Sequence, residues 1–357
     1  MKNIDKLLLT SIIILSLFGL LMIYSSSTIW AAYKFNDPYK YLKSQAIFLV
    51  LGYIIIYIVS KISTNIYKKY SNIIFFTLTI LLILVLIPGI GTVRNGSRSW
   101  FGIGGLGIQP SEFVKLGLII FTSKYLSKNK INNIKTSVLP ILTIVFLIFG
   151  LIMLQPDFGT GVIIVISIIA LLYVSGVNMS FFIKLGVLGL LGIVGLVIIA
   201  PYRMARITSF INPWSDPLGS GFQIIQSLYA IGPGGLLGMG LGNSVQKHFY
   251  LPEPQTDFIF SIISEELGIV GVIIVVTLFT TIIYCGFKIA INKEDNFTKY
   301  LSFGITFSIA FQTILNLMVV TGLIPVTGVT LPFLSYGGSS LLVSMIEIGI
   351  LLNISRE

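Results

Sequence analysis

Four of the five arginines stand in two segments that separate long apolar runs: Arg94 and Arg98 in GIGTVRNGSRSWFGIGGLGIQP (89–110), Arg203 and Arg206 in PYRMARITSFINPW (201–214). Arginine presents a planar fork of donors suited to bidentate phosphate contact, whereas lysine acts as a point charge. Brought to one face, the four would hold a phosphate or pyrophosphate; the other reading is headgroup anchoring and loop salt bridges. One acid has a comparable setting. Asp257 lies in HFYLPEPQTDFIF, where Pro252 and Pro254 stiffen the approach to an apolar run. A carboxylate on so rigid a mount suits catalysis at a boundary with water, while Thr256 or Asp257 equally suits the N-cap of the helix that follows.

The apolar runs decide whether these residues can meet. Hydrophobic types make up 55% of the 357 residues and charged types 10%, and mean hydropathy is +0.97. Soluble domains carry about 25% charged residues, so a soluble enzyme, a disordered chain and a nucleic-acid binder are excluded despite the net charge of +10. A spanning helix needs about 20 mostly apolar residues. Ten segments qualify: 7–24, 43–60, 72–88, 111–126, 137–154, 160–176, 180–200, 258–287, 299–320 and 335–353. The predicted fold class is all-α, a polytopic membrane protein of about ten transmembrane helices, with the first run read as a helix rather than a cleaved signal peptide. No internal repeat is evident, so residues 1–357 form one integral membrane domain. An even count puts both termini on one side. Lysines crowd the short loops 61–71, 124–136 and 288–299, which makes that side cytoplasmic. The long segments 89–110 and 201–257 are then extracytoplasmic, with the four arginines and Asp257.

Scarcity removes other mechanisms. His248 is the only histidine and Cys285 the only cysteine, so multi-histidine metal sites, CxxC zinc sites and intramolecular disulfides are excluded. Gly102, Gly104 and Gly107 match GxGxxG but no βαβ unit surrounds them. Acids inside the apolar runs are costly. Glu112 and Lys115, three residues apart, can pair on one helical face; Glu265 and Glu266 read as helix-locking or as part of an ion path; Glu347 lies deep in the last run. FQIIQSLYAI (222–231) groups Phe222, Ile225, Leu228 and Tyr229 as the apolar face of an interfacial helix. The glycine-rich stretch 232–243 suits a re-entrant or cavity-lining segment.

NPWSDPLGSGFQIIQSLYAIGPGGLLGMGLGNSVQKHFYLPEPQTDFIFSIISEELGIVG (212–271) resembles the central signature of the SEDS proteins, the shape, elongation, division and sporulation family. The stretch from Asn316 through PVTGVTLPFLSYGGSS to Ser340 is similar to that family's second signature. NGSRSWFGIGGLGIQPSEFVKL (95–116), QPDFGTG (155–161) and PYRMARITSFINPW (201–214) agree, in order, over nearly the whole chain. The details look more like the FtsW and SpoVE branch than RodA.

The resemblance implies a ten-helix peptidoglycan glycosyltransferase that polymerises lipid II, the undecaprenyl-pyrophosphate-linked disaccharide-pentapeptide, on the outer face of the bacterial cytoplasmic membrane. It implies a class B penicillin-binding protein as partner, alongside other divisome or elongasome proteins and membrane lipid, with no nucleic acid. By the same resemblance Asp257 is the catalytic aspartate. Trp100, Arg94, Arg98, Arg203, Arg206, Glu112 and Lys115 belong to the substrate cavity, and Ser335–Gly338 form the SYGG turn that opens the last helix. No cofactor is obligatory and no residue is assigned to a metal; a divalent cation is an optional companion. The chemistry would be an inverting transfer with release of undecaprenyl diphosphate: a base on one face of the sugar, leaving-group stabilisation on the other. Trp100 would stack on a sugar or line a lipid groove, or else belong to an interfacial belt. Gln155, Gln312, Asn316 and Ser335 are expected to let helices part into a groove. A lipid II flippase and a non-catalytic scaffold for the penicillin-binding protein are the alternatives; clustering of the polar groups outside favours the polymerase.

Overall fold

The computed structural model describes residues 2–94, 96–103, 106–129, 134–199 and 201–357, with the backbone alone at 2–4, 103, 106, 193, 196–199, 201–203, 205 and 206. In chain order the helices are α1 (Lys2–Phe35), α2 (Lys40–Val59), α3 (Thr64–Leu84), α4 (Pro110–Lys128), α5 (Leu139–Met153), α6 (Phe158–Val174), α7 (Met179–Ile199), α8 (Pro201–Ile211), α9 (Phe222–Ile231), α10 (Ile259–Ile291), α11 (Asn296–Val320) and α12 (Gly338–Arg356). Each of the ten apolar segments falls on one helix, with α8 and α9 inside the second long segment. Among the described residues seven helices are long and apolar enough to cross a membrane, namely α1, α2, α3, α5 with its preceding π-helical turn, α10, α11 and α12. Helix α6 is shorter, and α4 carries Glu112, Lys115, Lys124 and Lys128. Outward faces are apolar: Ile14, Ile73, Leu188 and Ile273 are all exposed. Water would not tolerate so much apolar surface, and lipid does. The chain is a multi-pass membrane protein.

Helix α12 sits at the centre, against α2, α1, α11 and α4, with buried residues all round it. Small residues allow this: a side chain at Gly349 would meet Val59 and Ile56, and one at Gly338 would strike the Phe48 ring. Helix α1 runs eleven residues past the predicted end at 24. The serines that looked like a stop bond back into the helix, Ser27 Oγ to Ile23 O at 2.6 Å, or across it, Ser25 Oγ to Glu266 Oε2 at 2.6 Å.

The first long segment departs from the all-α expectation. Strands β1 (Thr92–Arg94), β2 (Ser97–Ile103) and β3 (Leu106–Ile108) form a small antiparallel sheet, Thr92 opposite Trp100 and Phe101 opposite Ile108. Gly102 and Gly107 face each other across it and Gly104 is outside the described residues. An antiparallel ribbon is not the βαβ unit a dinucleotide fingerprint requires.

The second surprise is a break in α10. Gly268 takes φ 61°, ψ −153°, a conformation essentially confined to glycine. The carbonyls of Glu265 and Glu266 accept hydrogen bonds from Met239 N and Gly240 N, both at 2.9 Å, while Ile269 N and Val270 N donate to Gly235 O at 2.9 Å and Leu236 O at 3.2 Å. The stretch 235–240 is thus inserted into the helix and takes over the bonds that α10 cannot make with itself. Leu236 and Leu237 on this stretch are exposed, while its backbone supplies the partners that the peptide groups at the break would otherwise lack.

Candidate active site

Asp257 lies at the end of the bundle that carries both long segments. It is half-buried, and the N-cap of α10 is Phe258, one residue further on, whose side chain cannot cap. The turn before it is strained, with Glu253 at φ 44°. Hydrogen bonds fasten that turn. Thr256 Oγ1 donates to Asp257 Oδ1 at 2.9 Å, Tyr336 N to Gln255 O at 2.8 Å, and Asn316 Nδ2 to Asp257 O at 2.7 Å. Asn316, on buried α11, also donates to Val329 O at 2.7 Å. The SYGG turn is held in the same way: Leu331 N donates to Ser335 Oγ at 2.8 Å, and Gln45 Nε2 to Ser335 O at 3.3 Å. Gln45, Gln155, Gln312, Asn316 and Ser335 are all buried. The expectation that polar spots would let helices part is therefore corrected: each bonds a neighbouring backbone carbonyl or amide and ties helices and loops together, although Gln155 Oε1 and Asn316 Oδ1 make no hydrogen bond.

Glu112 and Lys115 form the expected pair, 2.9 Å apart and buried, and Lys115 Nζ also donates to Gln312 Oε1 at 2.8 Å. Gln312 Nε2 in turn donates to Thr330 O at 3.0 Å. The pair therefore braces the same 322–337 loop that Asn316 joins to Asp257. Glu347 is buried nearby on α12, and its two oxygens make no hydrogen bond.

The sheet carries the first arginines. The Arg94 guanidinium lies over the Trp100 ring, 5.2 Å from its centroid, and a Cβ on Gly107 would come within 2.5 Å of Arg94 Nη1. Arg94 is thus stacked on the indole, with the bare backbone of Gly107 close to both side chains, an arrangement that suits a guanidinium. Arg98 sits opposite Val93 on β2 and is half-exposed. The sheet is pinned by Ser99 Oγ, and by Ser97 Oγ, donating to Gln155 O. Arg203 and Arg206 lie on α8, whose backbone is described; their side chains lie outside the described residues.

Sequence reasoning gave no role to Asp157, in the turn before α6, although QPDFGTG was singled out. Its carboxylate accepts from Gln109 Nε2 at 2.9 Å, Ser111 Oγ at 3.3 Å and Thr160 N at 3.2 Å. Burial pushes its carboxyl up from the ordinary value, against the downward pull of the Thr160 amide. Ser339 Oγ, accepting from Gln109 N at 2.9 Å and donating to Gly107 O at 3.1 Å, joins the sheet to the start of α12. Gly159 packs against Thr327 and Val329 so closely that a Cβ would be 2.8 Å from Thr327 O. Through these links the sheet, the Asp157 turn and the Asp257 mount form one braced assembly.

One reading in the second long segment changes. On α9 the buried residues are Ile224, Ile225, Ser227 and Ala230, whereas Leu228 and Tyr229 point outward. The face turns because Ser227 Oγ finds two partners inside, Val320 O at 2.7 Å and Ser261 Oγ at 2.8 Å. Glu265 and Glu266 are buried and engaged. Glu265 accepts from Ser244 Oγ and from Val245 N at 2.8 Å; Glu266 accepts from Ser25 Oγ and pairs with buried Lys247 at 2.9 Å. Both carboxylates hold the 244–247 loop to α10.

The architecture has known counterparts. A model of the Cell cycle protein family, which groups FtsW, RodA and SpoVE, matches residues 5–357. The chain belongs to that family. It is 51% identical over 354 residues to Stage V sporulation protein E of Bacillus subtilis (strain 168), covering 99% of this chain and 97% of that one. It is 41% identical over 353 residues to the Probable peptidoglycan glycosyltransferase FtsW of Trichlorobacter lovleyi, covering 98% and 93%. Among solved structures, the rod shape determining protein RodA of Thermus thermophilus superposes with a TM-score of 0.72 at 26% identity, over 98% of this chain and 95% of that one. A chain from a study of the structural coordination of polymerization and crosslinking by a peptidoglycan synthase complex gives a TM-score of 0.80 at 29% identity, over 98% and 96%. The SEDS resemblance and the membrane-helical fold are borne out.

Proposed function

We propose that this membrane protein is a peptidoglycan glycosyltransferase that joins lipid II units into glycan strands at the outer face of the cytoplasmic membrane. Both termini are cytoplasmic in this reading, and a class B penicillin-binding protein is the partner that cross-links the product. Family membership and the name of the relative at 41% identity support the activity. The observation that carries the site is the mount of Asp257: a half-buried carboxylate on a turn fastened to α11 and to the SYGG turn. The sheet bearing Arg94, Arg98 and Trp100 lies at the same end of the bundle.

The chemistry follows from these groups. Asp257 accepts the proton of the acceptor sugar's 4-hydroxyl as that oxygen attacks the anomeric carbon of the donor. The carbon–oxygen bond to pyrophosphate breaks, configuration inverts, and undecaprenyl diphosphate departs. Arg94 and Arg98, joined by Arg203 and Arg206, stabilise the charge that develops on the diphosphate. Trp100 covers a sugar face while its other face holds Arg94. The buried Glu112–Lys115 pair acts at a distance, keeping the 322–337 loop in register through Gln312.

The test is polymerisation of labelled lipid II by the purified protein with its class B partner. Glycan ladders that vanish with Asp257→Asn, in a protein that still melts at the wild-type temperature, support the assignment. Ladders that persist remove Asp257 from catalysis. Base catalysis is worth about 10²–10⁴-fold, so a much larger loss in a well-folded variant would add a binding role.

A further inference from the structure

At the opposite end of the bundle, where the connections are short, α3 begins beside the end of α4. The two helices are stapled along their length by Phe75 on Phe121, ring centroids 4.9 Å apart, and by Lys124 Nζ donating to Asn72 Oδ1 at 3.1 Å. Beyond that staple lies a pocket of about 370 Å³ lined by Asn65, Lys68, Lys69, Lys124 and Lys128. Its charge is poorly compensated. Lys68 pairs loosely with Asp295 at 3.4 Å; among the described residues no ion pair is made by Lys69, Lys124 or Lys128.

The helix dipole does not account for all four. Lys124 and Lys128 sit near the C-terminus of α4, where cations are favoured, but Lys68 and Lys69 sit within six residues of the N-terminus of α3, where they are not. Four ammonium groups around one cavity repel one another and leave a positive site for an oxyanion. The cavity also leads somewhere. Ile66, Tyr70, Ile73, Phe76 and Ile80 are exposed at helical spacing on α3, and Lys69 lies on the same stripe. That stripe descends from the pocket along the lipid-facing side of the helix.

We propose that this pocket holds the phosphodiester of an anionic glycerophospholipid whose acyl chains run along the exposed stripe of α3. The lysines alone would suit a soluble phosphate as well; that Lys69 lies on the lipid-facing stripe itself, so that the pocket opens toward the bilayer, favours the lipid. Basic pockets between spanning helices are an established way of gripping acidic headgroups. Asn65 adds an amide that can donate to a headgroup oxygen.

The experiment is a lipid titration of the delipidated full-length protein, with bound lipid counted by native mass spectrometry. Phosphatidylglycerol is compared with phosphatidylcholine of the same chains. The expected result is preferential binding of phosphatidylglycerol that millimolar inorganic phosphate does not displace. Each lysine is worth about fivefold in affinity, so Lys69→Gln/Lys124→Gln/Lys128→Gln together weaken it roughly 100-fold. The charge-matched control Lys61→Gln/Lys288→Gln/Lys293→Gln leaves it intact. The proposal is overturned if the pocket variant keeps its preference, if the control loses as much, or if inorganic phosphate competes as well as the lipid. The readout is binding, so it stands or falls separately from glycan synthesis.

Discussion

Replacing Gly268 with alanine tests the broken helix directly. The new Cβ would lie 2.5 Å from Gly238 N and 2.7 Å from both Gly235 O and Leu236 C. All three are backbone atoms, so no rotamer change relieves the clash. If the segment stayed, alanine would also occupy a glycine-only conformation at about 1–3 kcal/mol. If it withdrew, the four bonds between 235–240 and 265–270 would go, at about 0.5–1.5 kcal/mol each. The first route therefore costs about 1–3 kcal/mol plus the clash, and the second about 2–6 kcal/mol. The assay is thermal unfolding in detergent, paired with hydrogen exchange at Met239, Gly240, Ile269 and Val270. The comparison is Gly186→Ala on α7, where a Cβ would touch nothing and the helix gains roughly 0.5–1 kcal/mol. Gly268→Ala is expected to melt clearly below wild type and to expose those four amides. A melting temperature matching wild type, with protection unchanged, would refute the account of the break.

Further outcomes follow from the same contacts. Lys247→Met leaves Glu266 buried without its cation and is expected to destabilise by about 3–5 kcal/mol, with Lys247→Met/Glu266→Gln recovering most of it in the same melting assay. Lys115→Met strands Glu112 likewise, and limited proteolysis of the 322–337 loop should accelerate with it. Asn316→Leu releases the Asp257 turn; a small misplacement costs up to about 10²-fold, so the rate of glycan synthesis is expected to fall at least tenfold while KM for lipid II changes little. Arg94→Lys keeps the charge but loses the planar stack on Trp100, worth about 0.5–1 kcal/mol, and kcat/KM is expected to drop a few-fold.

The apolar runs were enough to place ten helical segments, seven of them long and apolar enough to span a membrane among the described residues, because hydropathy over some 20 residues is a local property. The Glu112–Lys115 pair was equally legible, since helical spacing alone brings the two together. What escaped depends on partners far away in the chain. The face of α9 is set by Ser227, whose bonding partners are Val320 and Ser261. The end of α1 is carried past its serines by Glu266. Asp157 looked like one residue of a motif, and only the fold gathers Gln109, Ser111 and Thr160 round it. The sheet in 89–110 escaped because a glycine-rich segment gives little alternation to read. Gly268 sits in ELGIVG, which reads as uninterrupted helix; its break exists only because 235–240 supplies the missing bonds.

The splice in α10 also makes two distant stretches answer for each other. Residues 235–240 and 265–270 supply each other's backbone partners, so displacing either one leaves peptide groups of both unpaired, and a disturbance in the glycine-rich segment is felt inside the helix.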